Sequence, residues 1–252
     1  MPVMRDGGRH AEEMRSIFIK TGVISQAAGS AYVEFDKTKV MCAVYGPRQG
    51  GGKAAGGATN EQGRLEVDVK LATFATPGAR GKAGQGDAER EFSTLVLRAL
   101  EGAVIAETFP KTSVDVYATV MEAGGAELPA TVAAASAALA QAGVAMRDLV
   151  SACSVTRVSS PASSSASTSI PTLLLDPTSA EEGASDGGVT IAHMVTLGEA
   201  TQVVVTGSWD GDALDDAIQL AASGCARVDQ ALREVLRQGA EEAASLAGAA
   251  AS

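Results

Sequence analysis

Through the first half of the chain, apolar residues fall at every second position in short bursts. IFIKTGVIS (17–25), SAYVEF (30–35) and TKVMCAVYG (38–46) alternate in this way, with Gly29 and the Asp36-Lys37 pair between them. A period of two lines one face of an extended chain, so three consecutive strands are expected. RLEVDVKLA (64–72) predicts a fourth. The segments on either side of it, GPRQGGGKAAGGATNEQG and TPGARGKAGQG, have no period and many glycines, which marks both as flexible loops.

At Asp87 the period lengthens. Phe92, Leu95, Val96, Ala99, Leu100 and Val104 recur at three- and four-residue spacing, the stripe of an amphipathic helix, with Asp87 placed to cap its start and Pro110 to end it. TSVDVYATVM returns to strand. LPATVAAASAALAQAG is apolar on all sides, which predicts a fully buried helix closed by Gly143. VSACSVTRV, PTLLLD, GVTIAHMV and TQVVVTG read as further strands, interrupted by SSPASSSASTS, a low-complexity loop too polar to pack. From Asp212 a long helix follows with Leu214, Ile218, Ala221, Cys225, Val228, Leu232 and Val235 on one stripe. Strands and helices in this order predict an α+β fold whose sheets are covered on one side by helices. The domain is expected over residues 16–240. It is preceded by an N-terminal segment, 1–15, carries mobile loops at 47–62, 74–86 and 159–169, and ends in a disordered tail at 241–252.

With 252 residues, 46% of them apolar, the chain can bury a substantial core. No apolar run reaches the roughly 18 residues of a membrane span. MPVMRDGGRHAEEMR is charged where a secretion signal needs its hydrophobic centre, so export is not expected. Cys42, Cys153 and Cys225 lie far apart with no Cys-x-x-Cys pair, which fits buried thiols in a reducing compartment. The formal charge of −10 works against nucleic-acid binding by the chain alone, because neutralising phosphates supplies most of that affinity. Aromatic stacking platforms are also scarce, with three Tyr, five Phe and one Trp.

Candidate chemistry is thin. Gly52-Lys53 and Gly81-Lys82 lack the glycine spacing of a phosphate loop, and each lysine is followed by Ala where that loop needs Ser or Thr. His10 and His193 have no Ser, Cys or carboxylate at a spacing that would make a triad or a zinc site. Cys153 sits in apolar VSACSV, where burial raises a thiol pKa. Asp186, at the mouth of the strand in SDGGVTIAHM, stands where many α/β enzymes keep a catalytic carboxylate, and equally where a turn needs punctuation.

GSAYVEFDKTKVMCAVYGPRQ (29–49) resembles the N-terminal signature of RNase PH-like proteins, especially the eukaryotic exosome ring subunits. The likeness continues through ETFPKTSVDV, the buried-helix segment, LLLDPTSAEEG and VTGSW, and covers nearly all of residues 4–236. It implies one RNase PH-like domain built from a duplicated strand-and-helix unit of the ribosomal-protein-S5 second-domain type. It also implies a hetero-hexameric ring of RNase PH-like subunits, topped by S1- or KH-domain cap proteins, with RNA passing through the channel. No cofactor, metal or membrane is implied, and the expected location is nucleus, nucleolus and cytoplasm.

Active members of the family shorten RNA from its 3′ end with inorganic phosphate, which demands cations for both anions and an acidic group near the scissile bond. Their arginine pair at the start of the first long helix corresponds here to Asp87 and Ala88, followed by Glu89. Their Gly-Thr-Arg phosphate turn corresponds to Ala126-Glu127-Leu128. Their catalytic Asp opens a strand written Asp-x-x-Val/Ile-Ala, a position that falls on Gly188, two residues after Asp186. The resemblance therefore implies a non-catalytic ring subunit. An active phosphorolytic exoribonuclease, or a scaffold outside any exosome, would be the rival readings. Arg64, Arg80 and Lys82 are the candidates for touching the RNA path, although scattered cations are also what any solvated surface carries.

Overall fold

The alternating segments of the first half become one five-stranded sheet. β1 (Ile17–Thr21), β2 (Gly29–Phe35) and β3 (Thr38–Gln49) form an antiparallel meander, β5 (Thr112–Glu122) pairs antiparallel with β3, and β4 (Arg64–Leu71) lies parallel to β5 at the far edge. A parallel neighbour needs a crossover, and α1 (Asp87–Glu101) supplies it. The computed structural model describes residues 5, 8–49, 63–76, 86–159 and 171–250. The second half builds a four-stranded antiparallel sheet in the order β7 (Pro171–Leu175), β6 (Ser151–Ser159), β8 (Gly187–Met194), β9 (Glu199–Gly207).

The register aligns the apolar sets. Val33 lies opposite Val40, and Val44 opposite Val116, with all four at most 1% exposed on the sheet's inner face. α2 (Glu127–Gln141) packs between the two sheets, against β2, β3 and β5 on one side and β6 and β8 on the other. Residues 129–139 of α2 are buried without interruption, as a helix apolar on all sides requires. Its approach to β2 is so close that a Cβ at Gly29 would lie 2.2 Å from the Ala138 carbonyl oxygen. α4 (Gly211–Ala250) lays Ala217, Ala221, Cys225, Val228 and Leu232 over the second sheet, and its last two stripe residues join the same core as α2. This is the expected α+β architecture.

Four boundaries differ from the sequence reading. α1 begins with Gly86 as its cap and ends at Glu101, nine residues before Pro110; Asp87 is its first helical residue. Val104 leaves the helix to bridge Met146 in extended pairing, so its apolar spacing serves a different element. β3 runs on through Gln49, into what read as loop. α4 continues to Ala250 where a disordered tail was expected, in keeping with the high helix propensity of Ala and Glu. Nor is the N-terminal segment separate from the domain, because Arg5 and Arg15 are buried within it. Of the other loop expectations, 50–62, 77–85 and 160–170 lie outside the described residues.

Candidate functional site

The turn from β5 into α2 sets the site. Gly125 (φ +99°) and Ala126 (φ +53°) are consecutive left-handed residues, which turns their two amides towards one side of the chain. Gly125 is obligatory, since a Cβ there would sit 2.4 Å from the Ser179 nitrogen. From below, Arg15 donates to the Gly124 carbonyl at 3.2 Å and to that of Gly125 at 3.0 Å, and Thr38 Oγ1 donates to the Gly125 carbonyl at 2.6 Å. Arg15 is itself fixed by Asp176, which takes its backbone N–H and two of its guanidinium nitrogens at 2.6–2.9 Å.

Directly after Asp176 the chain forms a single helical turn, α3 (Ser179–Gly183). Thr178 and Glu181 cap one another's amides at its start. Glu181 in turn receives two bonds of 2.7 Å from Nε and Nη2 of Arg5; Nη2 also donates to the Asp176 carbonyl, and Nη1 to that of Leu175. Burial opposes the charge on Glu181, but Arg5 and the Thr178 amide outweigh it and hold the carboxyl at about 2.

This scaffold aims the next residue, Glu182, back at α2. Its Oε1 accepts the Ala126 N–H at 2.9 Å, while Glu127 Oε1 accepts the Gly125 N–H at 3.0 Å. Both amides leading into α2 are thus occupied by carboxylates of the chain itself. Burial pushes Glu182 up to about 7, and neighbouring Glu127 adds to the rise against the pull of the Ala126 amide and Arg15. Leu128, the other residue of the expected phosphate turn, packs against the core.

Glu182 also lines a pocket of about 220 Å³ together with Thr156, Ser185, Gly188, Thr190 and Thr206. Gly188 exchanges hydrogen bonds with Thr206 Oγ1 at 3.1 and 3.3 Å. No Lys, Arg or His is among the described residues lining this pocket, so its chemistry is one carboxyl surrounded by hydroxyls. Asp186 is exposed at the mouth of β8, its N–H on the Arg157 carbonyl at 2.9 Å, and does not line the pocket. The structure therefore brings Glu127 and Gly188 together around Glu182, a residue the sequence reading missed.

The remaining candidates lie elsewhere. Asp87 is fully exposed and pairs with Arg90 at 3.2 Å, while Glu89 ties the start of α1 to β4 by accepting the Gly86 and Leu71 amides at 3.1 and 3.0 Å. Arg64 is exposed at the start of β4, 3.7 Å from Glu66. Arg80, Lys82 and both Gly-Lys pairs lie outside the described residues. All three cysteines are buried; burial pushes Cys42 and Cys225 up to about 12 and Cys153 well above its ordinary value, the inert setting expected for Cys153. Among the described residues no group of His, Cys, Asp and Glu could hold a metal ion, and no helix is long and apolar enough to cross a membrane.

Residues 13–145 match the model of the 3′ exoribonuclease family, domain 1 (RNase PH). The chain is 38% identical over 236 residues to the exosome complex component RRP41-like of Arabidopsis thaliana, covering 94% of this chain and 85% of that one. It is 39% identical over 257 residues to the human exosome complex component MTR3, covering 97% and 89%. The crystal structure of rice (Oryza sativa) Rrp46 superposes with a TM-score of 0.76 at 23% identity, over 92% of this chain and all of that one, which shows the shared fold.

Proposed function

The chain belongs to the RNase PH family of 3′ exoribonucleases, and we propose that it serves there as a non-catalytic subunit of an RNA exosome ring. Relatives over nearly its whole length are exosome complex components, which supports assembly with other exosome subunits and a part in RNA processing and degradation performed by them.

One observation carries the loss of catalysis. Phosphorolysis needs an anion held beside the scissile bond, and the two amides that could receive it here are taken by Glu127 and Glu182. A phosphate brought to contact distance of one ionised carboxylate would meet about 4 kcal/mol of repulsion per unit charge at an effective dielectric near 20. No cation lines the adjoining pocket among its described residues to offset that repulsion. In this reading the cap subunit, the ring neighbours and the RNA are met as part of the assembly, in nucleus, nucleolus and cytoplasm, and the neighbours supply most of the positive lining.

The test is direct. The purified chain, incubated with single-stranded RNA, magnesium and phosphate, is expected to release no nucleoside diphosphate. Phosphate-dependent shortening that Asp186→Asn abolishes would reinstate Asp186 as a catalyst and refute the reading.

A further inference from the structure

The five-stranded sheet has two faces, and α1 and α2 cover one of them. The other carries an aromatic band. Phe18 and Tyr32 meet edge-to-face at 6.3 Å, Tyr45 and Tyr117 do so at 5.9 Å, and Arg48 lies over the Tyr45 ring at 4.9 Å. Strand pairing places Met41 between them, opposite Tyr32 on one side and Thr119 on the other. Phe18 is 54% exposed and Tyr117 45%, and no described element covers the band. All three tyrosines of the chain lie on this single face.

We infer that this face is the docking surface for a folded protein partner whose matching surface is apolar and aromatic at its centre and without net charge. Three observations select that occupant. The composition, Tyr, Phe and Met with a stacked Arg, is that of interface hot spots. Charge on the face is balanced: Lys20, Lys39, Arg48, Arg64 and Lys70 stand against Glu34, Glu66, Asp68, Asp115 and Glu122. Arg64 and Lys70 are already engaged by Glu66 and Asp68. An RNA strand would need surplus cations to neutralise its phosphates, whereas a protein surface needs the neutrality seen here on a chain of net charge −10. The size also fits. Five strands at about 4.8 Å spacing and roughly 3.3 Å per residue project about 600–700 Å², close to the ~800 Å² per partner of a standard stable interface.

This inference rests on the assembly reading for its setting, and the experiment separates the two. The full chain is tagged, expressed in its source cells and captured with its stoichiometric partners. Tyrosine oxidation is then footprinted in the complex and in the chain purified alone, with Trp209, which packs on Arg157 beside the other sheet, as internal reference. Tyr45 and Tyr117 should react about tenfold more slowly in the complex while Trp209 changes little. Tyr117→Ser should lower partner recovery about tenfold with the melting temperature retained, and Tyr117→Phe should leave recovery intact. Partners recovered with tyrosines as reactive as in the free chain would overturn this face as the interface and leave the assembly reading standing. Protection lost on ribonuclease treatment would identify a stacked RNA strand and equally overturn it. If the wild-type chain recovers no stoichiometric partner, the assembly reading falls and this face with it.

Discussion

Replacing Glu182 by Gln isolates the electrostatics of the occupied turn. The amide is nearly isosteric and its carbonyl can still accept the Ala126 N–H, so geometry is conserved while the ionisable group is removed. In the folded chain Glu182 titrates at about 7 against an ordinary 4.5. Because the folded state then binds more protons than the unfolded state between those two values, the contribution of Glu182 to stability is fully present below pH 4.5 and is lost as pH rises through 7. A tenfold change in proton affinity is worth about 1.4 kcal/mol, giving roughly 3 kcal/mol at most and about 2 kcal/mol after allowing for partial solvent contact. Above pH 8, Glu182→Gln should therefore be the more stable protein by about 2 kcal/mol, or about 4 °C in melting temperature for a chain of this size. At pH 4 the two should melt together. Thermal unfolding followed by circular dichroism across pH 4–9 reads both limbs. A variant that is less stable than wild type at pH 8 would show that the α2 amides and Arg15 hold Glu182 ionised, and the reasoning would be wrong.

Other expectations follow from the same scaffold. Glu181→Gln should behave in the opposite sense, since its pKa near 2 means stability present above pH 4.5 and lost as pH falls through 2; the variant should be weaker at pH 7 and indistinguishable in strong acid. Arg15→Met leaves Asp176 buried without its partner and should cost about 3–5 kcal/mol in denaturant unfolding. Gly125→Ala, strained by φ +99° and by contact with Ser179, should lower stability by more than about 1 kcal/mol, with the loss concentrated in exchange protection around α3. The isolated chain should bind single-stranded RNA no more tightly than about 10⁻⁴–10⁻⁶ M at ~0.15 M salt by fluorescence anisotropy, and nanomolar affinity would contradict the argument from charge.

The elements that were legible in the sequence are those whose signal is periodic and local. Val33, Val40 and Val44 alternate because one sheet face is buried, and the run from Pro129 to Leu139 is apolar throughout because α2 lies between two sheets. The errors arise where local pattern and tertiary use diverge. Val104 keeps helical spacing with Leu100, yet Gly102 ends the helix and Val104 pairs with Met146, forty-two residues on. α3 is too short to show a period, although Thr178-x-x-Glu181 is a capping signature that could have announced it. Arg5 and Arg15 look like surface residues by type, because arginine is seldom buried unless paired. Here the carboxylate that pairs with each lies more than 150 positions away, Glu181 for Arg5 and Asp176 for Arg15, and the carbonyls of Leu175, Asp176, Gly124 and Gly125 take further guanidinium bonds.

The same divide runs through the site. Glu127 was readable, because it stands beside Leu128 in the segment where the resemblance implies a phosphate turn ending in a cation, and an acidic residue there announces itself one position at a time. Glu182 was not, because its role exists only when α3 is folded against the start of α2, across 56 residues of sequence. Losing a cation would leave an empty nest of amides, and an empty nest still attracts anions. What closes this one is the second carboxyl, delivered from a turn that Arg5, Glu181 and Thr178 hold in place. The N-terminal arginines therefore reach the site by two routes: Arg15 holds the Gly124 and Gly125 carbonyls of the turn directly, while Arg5 fixes α3 through Glu181 and so sets Glu182 on the Ala126 amide.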